Sequence, residues 1–290
     1  MRPPSWLEAS ARERVAGLLD HGSFVEILGP EMRETSPHLA LFDLPVAFDD
    51  GVIAGRGSLA GRPVLIAAQE GRFMGGTFGE VSGAKIVGLL RAATAGGPDL
   101  VLLALDSGGV RLQEANAGEL AVSETTRAII EARARGVQVV ALVGGRAGAF
   151  GGAGIVAACC SRIVISQHGR TGVTGPEVIE TNKGVEEFDS RDRSLVWRIT
   201  GGRTRCLLGG ADRYVRDEIP AFREAAMALS NGTPLDLPTL RAEQERLRAR
   251  IAAHGDARDA TAIWTEDVGE LDEDAFGALL ASVGGSDVAR

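Results

Sequence analysis

Three times along this chain an apolar run ends in a glycine-rich turn, and each turn opens into a helical pattern. The first unit reads "VLIAAQE", "GRFMGGTFGE", "VSGAKIVGLLRAATAGG"; the second reads "LVLLALD", "SGGVR", "LQEANAGELAVSETTRAIIEARARG". The third runs "VQVVALV", "GGRAGAFGGAG", "IVAACC" and closes on one more apolar run, "SRIVIS". A strand without polar alternation has no face to offer water. Both faces must then be covered, which is the condition of a parallel sheet flanked by crossover helices. The repeat therefore predicts an α/β fold of short β-turn-α units. A chain of 290 residues, 44% of them hydrophobic, can bury the core such a sheet needs.

Around this repeat the sequence places further elements. Ser5 and Glu8 have capping-box spacing and Gly22 offers a stop, predicting a first helix near residues 6 to 20. "GVIAGRGSLAGRPVLIAAQE" predicts two strands joined by a tight turn at Ala60-Gly61. After "TGVTGPEVIE" the chain becomes charged and helical. Asp189 can cap "SRDRSLVWRIT", a helix is expected in "DEIPAFREAAMALS", and "PTLRAEQERLRARIAAHG" starts with Pro and stops at Gly. This last segment alternates charges and has few apolar positions, so it either packs on a partner or sheet edge or stands as a solvated surface helix. The expected organisation is a lead-in over residues 1–50, a core over 51–235 and a helical extension over 236–290.

A net charge of −8 argues against nucleic acid or an anionic membrane as the main partner, since both call for a basic footprint. No apolar stretch approaches the roughly 20 residues of a membrane span, and "MRPPSWLEASARERV" is too polar for a secretory signal. A cytoplasmic location is expected. The three cysteines, with Cys159 and Cys160 adjacent, suit neither a disulfide framework nor spaced zinc-ligand pairs, and read as small core residues. His21, His38, His168 and His254 show no ligand spacing and read as structural or surface residues.

Asp106-Ser107-Gly108-Gly109 spells the tetrad around the nucleophile of chymotrypsin-like proteases. That chemistry needs a histidine base, a buried aspartate and a two-barrel β fold. The upstream histidines lie outside the strand-turn pattern, and Ser107 lacks a Gly-x-Ser-x-Gly elbow, so it is read as a turn residue. "VVALVGGRAGAFGGAG" lacks the Gly-x-Gly start of a dinucleotide turn, and "SRIVIS" ends without an acid. Lys85 has neither the glycine before it nor the Ser or Thr after it that a phosphate loop requires, and is read as a surface helix residue.

One glycine pair alone signals a tight turn or a close approach of backbones. Three pairs, each at a strand end and each opening a helix, gather backbone N–H groups on one side of the sheet. A Cβ there would keep a substrate carbonyl away from those donors. Such a site stabilises an oxyanion without a side-chain nucleophile, each donor contributing about 2.7 to 4 kcal/mol to the rate. The scarcity of His, Cys and Tyr is then no obstacle to catalysis.

In this order "FMGGTFGEVSGAKI", "LDSGGVRLQE" and "GGRAGAFGGAG" resemble the glycine motifs of acyl-CoA carboxyltransferases, members of the ClpP/crotonase superfamily. The resemblance is strongest to the β subunits of malonate decarboxylases and extends through "RTGVTGPEVIE" and "EEFDSRDRSLVWRITGGRTR", over residues 20 to 230. It implies a crotonase-like fold of repeated β-β-α units and a γ subunit of the same fold as partner. It also implies a malonyl thioester on the phosphopantetheine arm of an acyl carrier protein, decarboxylated to the acetyl thioester, with no cofactor bound directly and no metal. Carried over by motif, Gly108, Gly109, Gly151 and Gly152 are oxyanion donors, Gly75 and Gly76 line the pocket, and Arg111 orients a carboxylate or phosphate. The alternative for Arg111 is an ion pair with Glu114. Glu114 and Glu119 serve as acid and base of a hydratase only if they face the pocket, and are otherwise solvated. The zinc ribbon of some bacterial relatives and a Met-Lys-Met biotinylation motif are both missing, which leaves carboxyl transfer to a separate biotin protein as the other expected reaction.

Overall fold

The computed structural model describes residues 3–41, 51–229, 235–257, 262–263 and 268–283. The chain opens with helix α1 (Ala11–Leu18), the short strand β1 (Val25–Ile27) and helix α2 (Pro37–Leu41). The hairpin of β2 (Val52–Leu59) and β3 (Arg62–Gln69) follows, and the repeat then unfolds as α3 (Glu80–Thr94), β4 (Leu100–Leu105), α4 (Asn116–Ala134) and β5 (Gln138–Val143). The two-residue strand β6 (Ala149–Phe150) leads into α5 (Gly152–Cys159), β7 (Arg162–Ser166) and the equally short β8 (Thr171–Gly172). Helices α6 (Pro176–Lys183), α7 (Arg193–Thr200) and α8 (Gly202–Leu207) precede β9 (Arg213–Val215). Helices α9 (Ile219–Ala228), α10 (Leu237–His254) and α11 (Glu273–Ser282) complete the described chain.

The main sheet has seven strands in the order β1-β2-β3-β4-β5-β7-β9. Its first two pairings are antiparallel and all later ones are parallel. Because side chains alternate along a strand, β4 sends Val101, Leu103 and Leu105 to one face and Leu100, Leu102 and Ala104 to the other. The first face is covered by α3, α4 and α5, the second by α1 and α9. The fully apolar strands are thus covered twice, as their composition demands. β6 and β8 form a separate two-stranded parallel ladder beside the strand ends.

The hairpin turn falls at Ala60 and Gly61, whose φ of 51° and 80° match the twist such hairpins require. Two caps differ from expectation. Ser10 and Glu13 form the capping box of α1, while Ser5 and Glu8 hold only a turn before it. Both spacings satisfy the rule, and the one nearer the apolar face prevails. Asp192, three residues beyond Asp189, caps α7.

The lead-in is also more integral than its sequence suggests. Trp6 stacks on Phe222 of α9 at 3.9 Å, Val15 and Leu18 enter the core, and the Ile219 N–H donates to the Pro4 carbonyl at 3.0 Å. The N-terminal segment is therefore one cover of the sheet, and β1, too short and exposed to announce itself, extends its edge. The boundaries expected at 50/51 and 235/236 adjoin residues 42–50 and 230–234, which lie outside the described residues. α10 has no buried residue, so the solvated reading fits it, whereas Phe276 of α11 packs edge-on against Tyr214 at 4.9 Å. Among the described residues no helix is long and apolar enough to cross a membrane.

Candidate active site

The three glycine turns lie side by side at one end of the sheet, hydrogen-bonded to one another. The Gly108 N–H donates to the Gly75 carbonyl (3.0 Å), joining the second turn to the first. The Ser107 N–H donates to Gly148 (2.7 Å) and the Phe150 N–H to Ser107 (3.0 Å), joining the second to the third. Gly76 makes the first junction possible: a Cβ there would stand 1.7 Å from the Asp106 carbonyl oxygen, and its φ of 66° is left-handed. Gln69, 1% exposed, staples the same junction, its Nε2 donating to the Gly76 carbonyl (3.1 Å) and its Oε1 accepting from the Asp106 N–H (3.2 Å).

Across the second junction, Gly109 (φ 129°) presses on the third turn, so that a Cβ there would lie 3.3 Å from the Phe150 carbonyl and 3.8 Å from the Gly152 nitrogen. What faces outward is a row of backbone: Gly75 and Gly108 are exposed and Gly151 half-buried, while Gly76, Gly109 and Gly152 are buried beneath them. Of the pair expected to line the pocket, Gly75 lies at the surface of the row and Gly76 under it, as the point where two turns touch.

An accounting of N–H groups redistributes the expected donors. Those of Gly108 and Gly109 are engaged inside the protein, the first by Gly75 and the second by the Ser107 hydroxyl at 3.1 Å. A serine hydroxyl bonding the backbone two residues on is a familiar turn device, and it is what Ser107 does here, fully buried. Its place in the turn removes it from nucleophilic work. The third turn differs. α5 begins at Gly152 and its first internal bond runs from the Ile155 N–H to the Gly151 carbonyl (3.1 Å), so the N–H groups of Gly152, Ala153 and Gly154 have no carbonyl one turn back within the helix. With the helix dipole behind them, these N–H groups stand beside the glycine row at a helix start whose three residues are buried.

Below the row, buried charges fix the turns. The Asp106 carboxylate accepts from Arg14 of α1 (2.9 Å) and from the Ala147 N–H (2.7 Å), with both charged side chains at most 3% exposed. Gly71 and Gly145 crowd that carboxylate so closely that a Cβ on either would overlap it. One aspartate thus anchors the loops of all three turns to the N-terminal helix. Sequence reasoning missed this group, although Asp106 stood in the opening tetrad, because its partner is 92 residues away.

Arg111 corrects an expectation. Its side chain is fully buried, paired with Glu114 at 2.8 Å and donating to the Thr77 carbonyl at 3.0 Å, so it has no surface with which to meet a substrate. Glu114 is buried as well and caps α3 by accepting from the Glu80 N–H at 2.5 Å, whereas Glu119 is solvated. Lys85, read as a surface residue, is 7% exposed and donates to the Val52 carbonyl at 3.1 Å. Cys160 is buried, and burial pushes its thiol well above the ordinary value, which leaves it inert at neutral pH. Among the described residues no cluster of three or more His, Cys, Asp or Glu could hold a metal ion.

A doubly covered parallel sheet with glycine turns packed at its strand ends is a carboxyltransferase, crotonase-like fold. Residues 8–227 match the carboxyl transferase domain, and the chain belongs to that family. Over 267 residues it is 42% identical to the malonyl-S-ACP:biotin-protein carboxyltransferase of Malonomonas rubra, covering 87% of this chain and 84% of that one. A Pseudomonas malonate decarboxylase hetero-tetramer, solved in complex with malonate, contains a chain that superposes with a TM-score of 0.81 at 40% identity, covering 90% of this chain and 96% of that one. The MdcD–MdcE hetero-dimer of a Pseudomonas malonate decarboxylase gives a TM-score of 0.67 at 38% identity over 84% and 96%.

Proposed function

We propose that this chain is the β subunit of a malonate decarboxylase, a carboxy-lyase that acts on malonyl thioester carried by an acyl carrier protein. The bond between the carboxylate carbon and Cα breaks, its electron pair enters the thioester as an enolate, carbon dioxide leaves, and a proton then adds to Cα. Charge develops on the thioester oxygen only as that bond breaks, so donors aimed there favour the transition state over the ground state. The observation that carries the reading is the glycine row: it gives a thioester room to lie against backbone, with the α5 N-terminus, led by Gly152, bringing N–H groups that lack an intrahelical partner to its edge. Gly108 and Gly109 shape the floor and hold it in register, and Gly75 and Gly151 form its rim.

Further support comes from the likeness to the two Pseudomonas structures, whose names are those of hetero-oligomers. In this reading a γ subunit of similar fold completes the site, and the phosphopantetheine arm enters as part of the substrate. The Malonomonas relative, named for transfer from malonyl carrier protein to a biotin protein, favours a second reading in which the carboxyl group passes to biotin. One experiment separates them. The chain is assembled with its partner subunit and given malonyl carrier protein with avidin present to sequester biotin. Carbon dioxide release under those conditions supports decarboxylation. Release only when a free biotin carrier is supplied, with carboxybiotin formed, establishes transfer instead.

A further inference from the structure

A turn built largely of glycine has few side chains of its own to hold it, so its geometry has to be set from outside. All three glycine turns are held from one helix, α1, which lies on the face of the sheet opposite α3, α4 and α5. The first turn is gripped at the start of that helix. Ala11 is the first residue of α1, and its N–H, which has no carbonyl one turn back, donates to Glu70 Oε2 at 2.9 Å. The carboxylate thus sits at the positive end of the helix dipole. Its other oxygen accepts from the Arg72 N–H inside the first turn at 3.1 Å, and Arg72 Nη2 returns to the Glu8 carbonyl at 2.8 Å.

One helical step further on, Arg14 reaches the other two turns. Its Nη1 donates to Asp106 Oδ2 at 2.9 Å, and Asp106 Oδ1 accepts from the Ala147 N–H of the third turn at 2.7 Å. Arg14 Nε meanwhile donates to the Trp6 carbonyl at 2.9 Å, so the planar fork fixes the direction of the carboxylate and not only its distance. The helix is itself braced. The Leu7 N–H donates to Asp217 at 2.8 Å, and Trp6 stacks on Phe222. Asp106 directly precedes Ser107 and Gly108, whose N–H groups make the bonds between turns, so a tilt of its side chain shifts those bonds.

We infer that Arg14 and Glu70 are positioning residues for the reaction at the glycine row: from behind the sheet they set the spacing of its three turns against α1. This assignment rests on the row being the reacting surface. Neither side chain touches substrate. Reacting groups have to be held to within about 0.5 Å, so releasing either grip is expected to cost on the order of tenfold in kcat.

The assembled complex is compared as parent, Glu70→Gln, Arg14→Lys and the double variant Arg14→Met with Asp106→Asn. The double variant removes both charges together, which avoids leaving one buried and unpaired, and the new amide oxygen can still accept from the Ala147 N–H. Well below each melting temperature, kcat and KM on malonyl thioester are measured beside deuterium exchange at the amides of Ser107, Gly108 and Phe150, with the amides of β4 as the internal standard. Glu70→Gln and the double variant should each lose roughly tenfold in kcat with KM within about twofold, and the three amides should exchange about tenfold faster while those of β4 do not change. Arg14→Lys keeps the charge and one hydrogen bond, so its kcat should lie between parent and double variant. A merely stabilising helix would lower the melting temperature and leave both readouts at the parent level. A folded variant with parent kcat, or with parent exchange at these amides, overturns the role of the residue it lacks. Should the double variant not fold, Glu70→Gln and Arg14→Lys decide by the same two readouts. A parent complex that consumes no malonyl thioester, with or without a biotin carrier, sinks the proposed reaction instead, and exchange alone then decides whether α1 sets the turns.

Discussion

Replacing Gly108 by alanine adds one methyl group at the exposed centre of the glycine row. A Cβ there meets nothing nearer than the Gly75 carbonyl oxygen at 3.8 Å, an ordinary contact, and the backbone of Gly108 does not occupy the left-handed region. The fold has no reason to object. Alanine should even stabilise it by about 0.4 to 1 kcal/mol, by narrowing the unfolded ensemble. The substrate has every reason to object. A carbon needs about 3.5 to 4.0 Å of clearance, so a thioester lying against the bare backbone would be lifted by an ångström or more. Misplacement by about 1 Å costs on the order of a hundredfold, near 2.7 kcal/mol in the barrier. The assay is carbon dioxide release from malonyl thioester by the assembled complex, with kcat/KM measured beside the melting temperature. A variant that assembles, melts at or above the parent temperature and loses about a hundredfold in kcat/KM is the expected result. Parent-level kcat/KM in the assembled variant would refute the reasoning that Gly108 faces the substrate.

Gly76→Ala is the opposite case: with the Asp106 carbonyl 1.7 Å away and φ at 66°, the turn must open, and a loss of more than about 4 kcal/mol in urea denaturation is expected. Ser107→Ala removes the hydroxyl that occupies the Gly109 N–H, so it should cost about 1 to 2 kcal/mol in stability and less than tenfold in rate, whereas a nucleophile's loss would abolish turnover. Asp20 is held well below the ordinary aspartate value, first by the Ser58 hydroxyl, then by Arg223 and the Gly61 N–H. Its contribution is therefore present above the unfolded value and is lost as pH falls through the lowered folded one. Asp20→Asn should flatten the fall in melting temperature between about pH 5 and about pH 3.

The parallel sheet was legible because β4 carries no polar residue and β5 only Gln138 at its start, and the order of the three turns was legible because each sits where such a strand stops. Those same glycines were harder to apportion. Gly76 and Gly108 look alike in sequence, yet one is jammed against a carbonyl and the other bare, a difference set by a neighbouring turn some 30 residues away. Arg111 and Glu114 had the spacing of an ion pair, and the ion pair is what formed; its complete burial came from the Gly79 backbone closing over it, which no local pattern records. Lys85 was misread for a similar reason: a lysine in a helix signals solvent until the Val52 carbonyl, on strand β2, takes its ammonium.

The packing of Trp6 against Phe222 ties the two ends of the carboxyl transferase fold in time as well as in space. The first helix of the chain to be synthesised cannot complete its contacts until α9, some 200 residues later, is available. Contacts of such long sequence separation form late and slowly, because the loop they close is large. A late closure of this contact makes Trp6 an optical marker once Trp197 and Trp264 are replaced by Phe: in refolding experiments its burial is expected to coincide with the return of activity and to lag behind formation of the sheet.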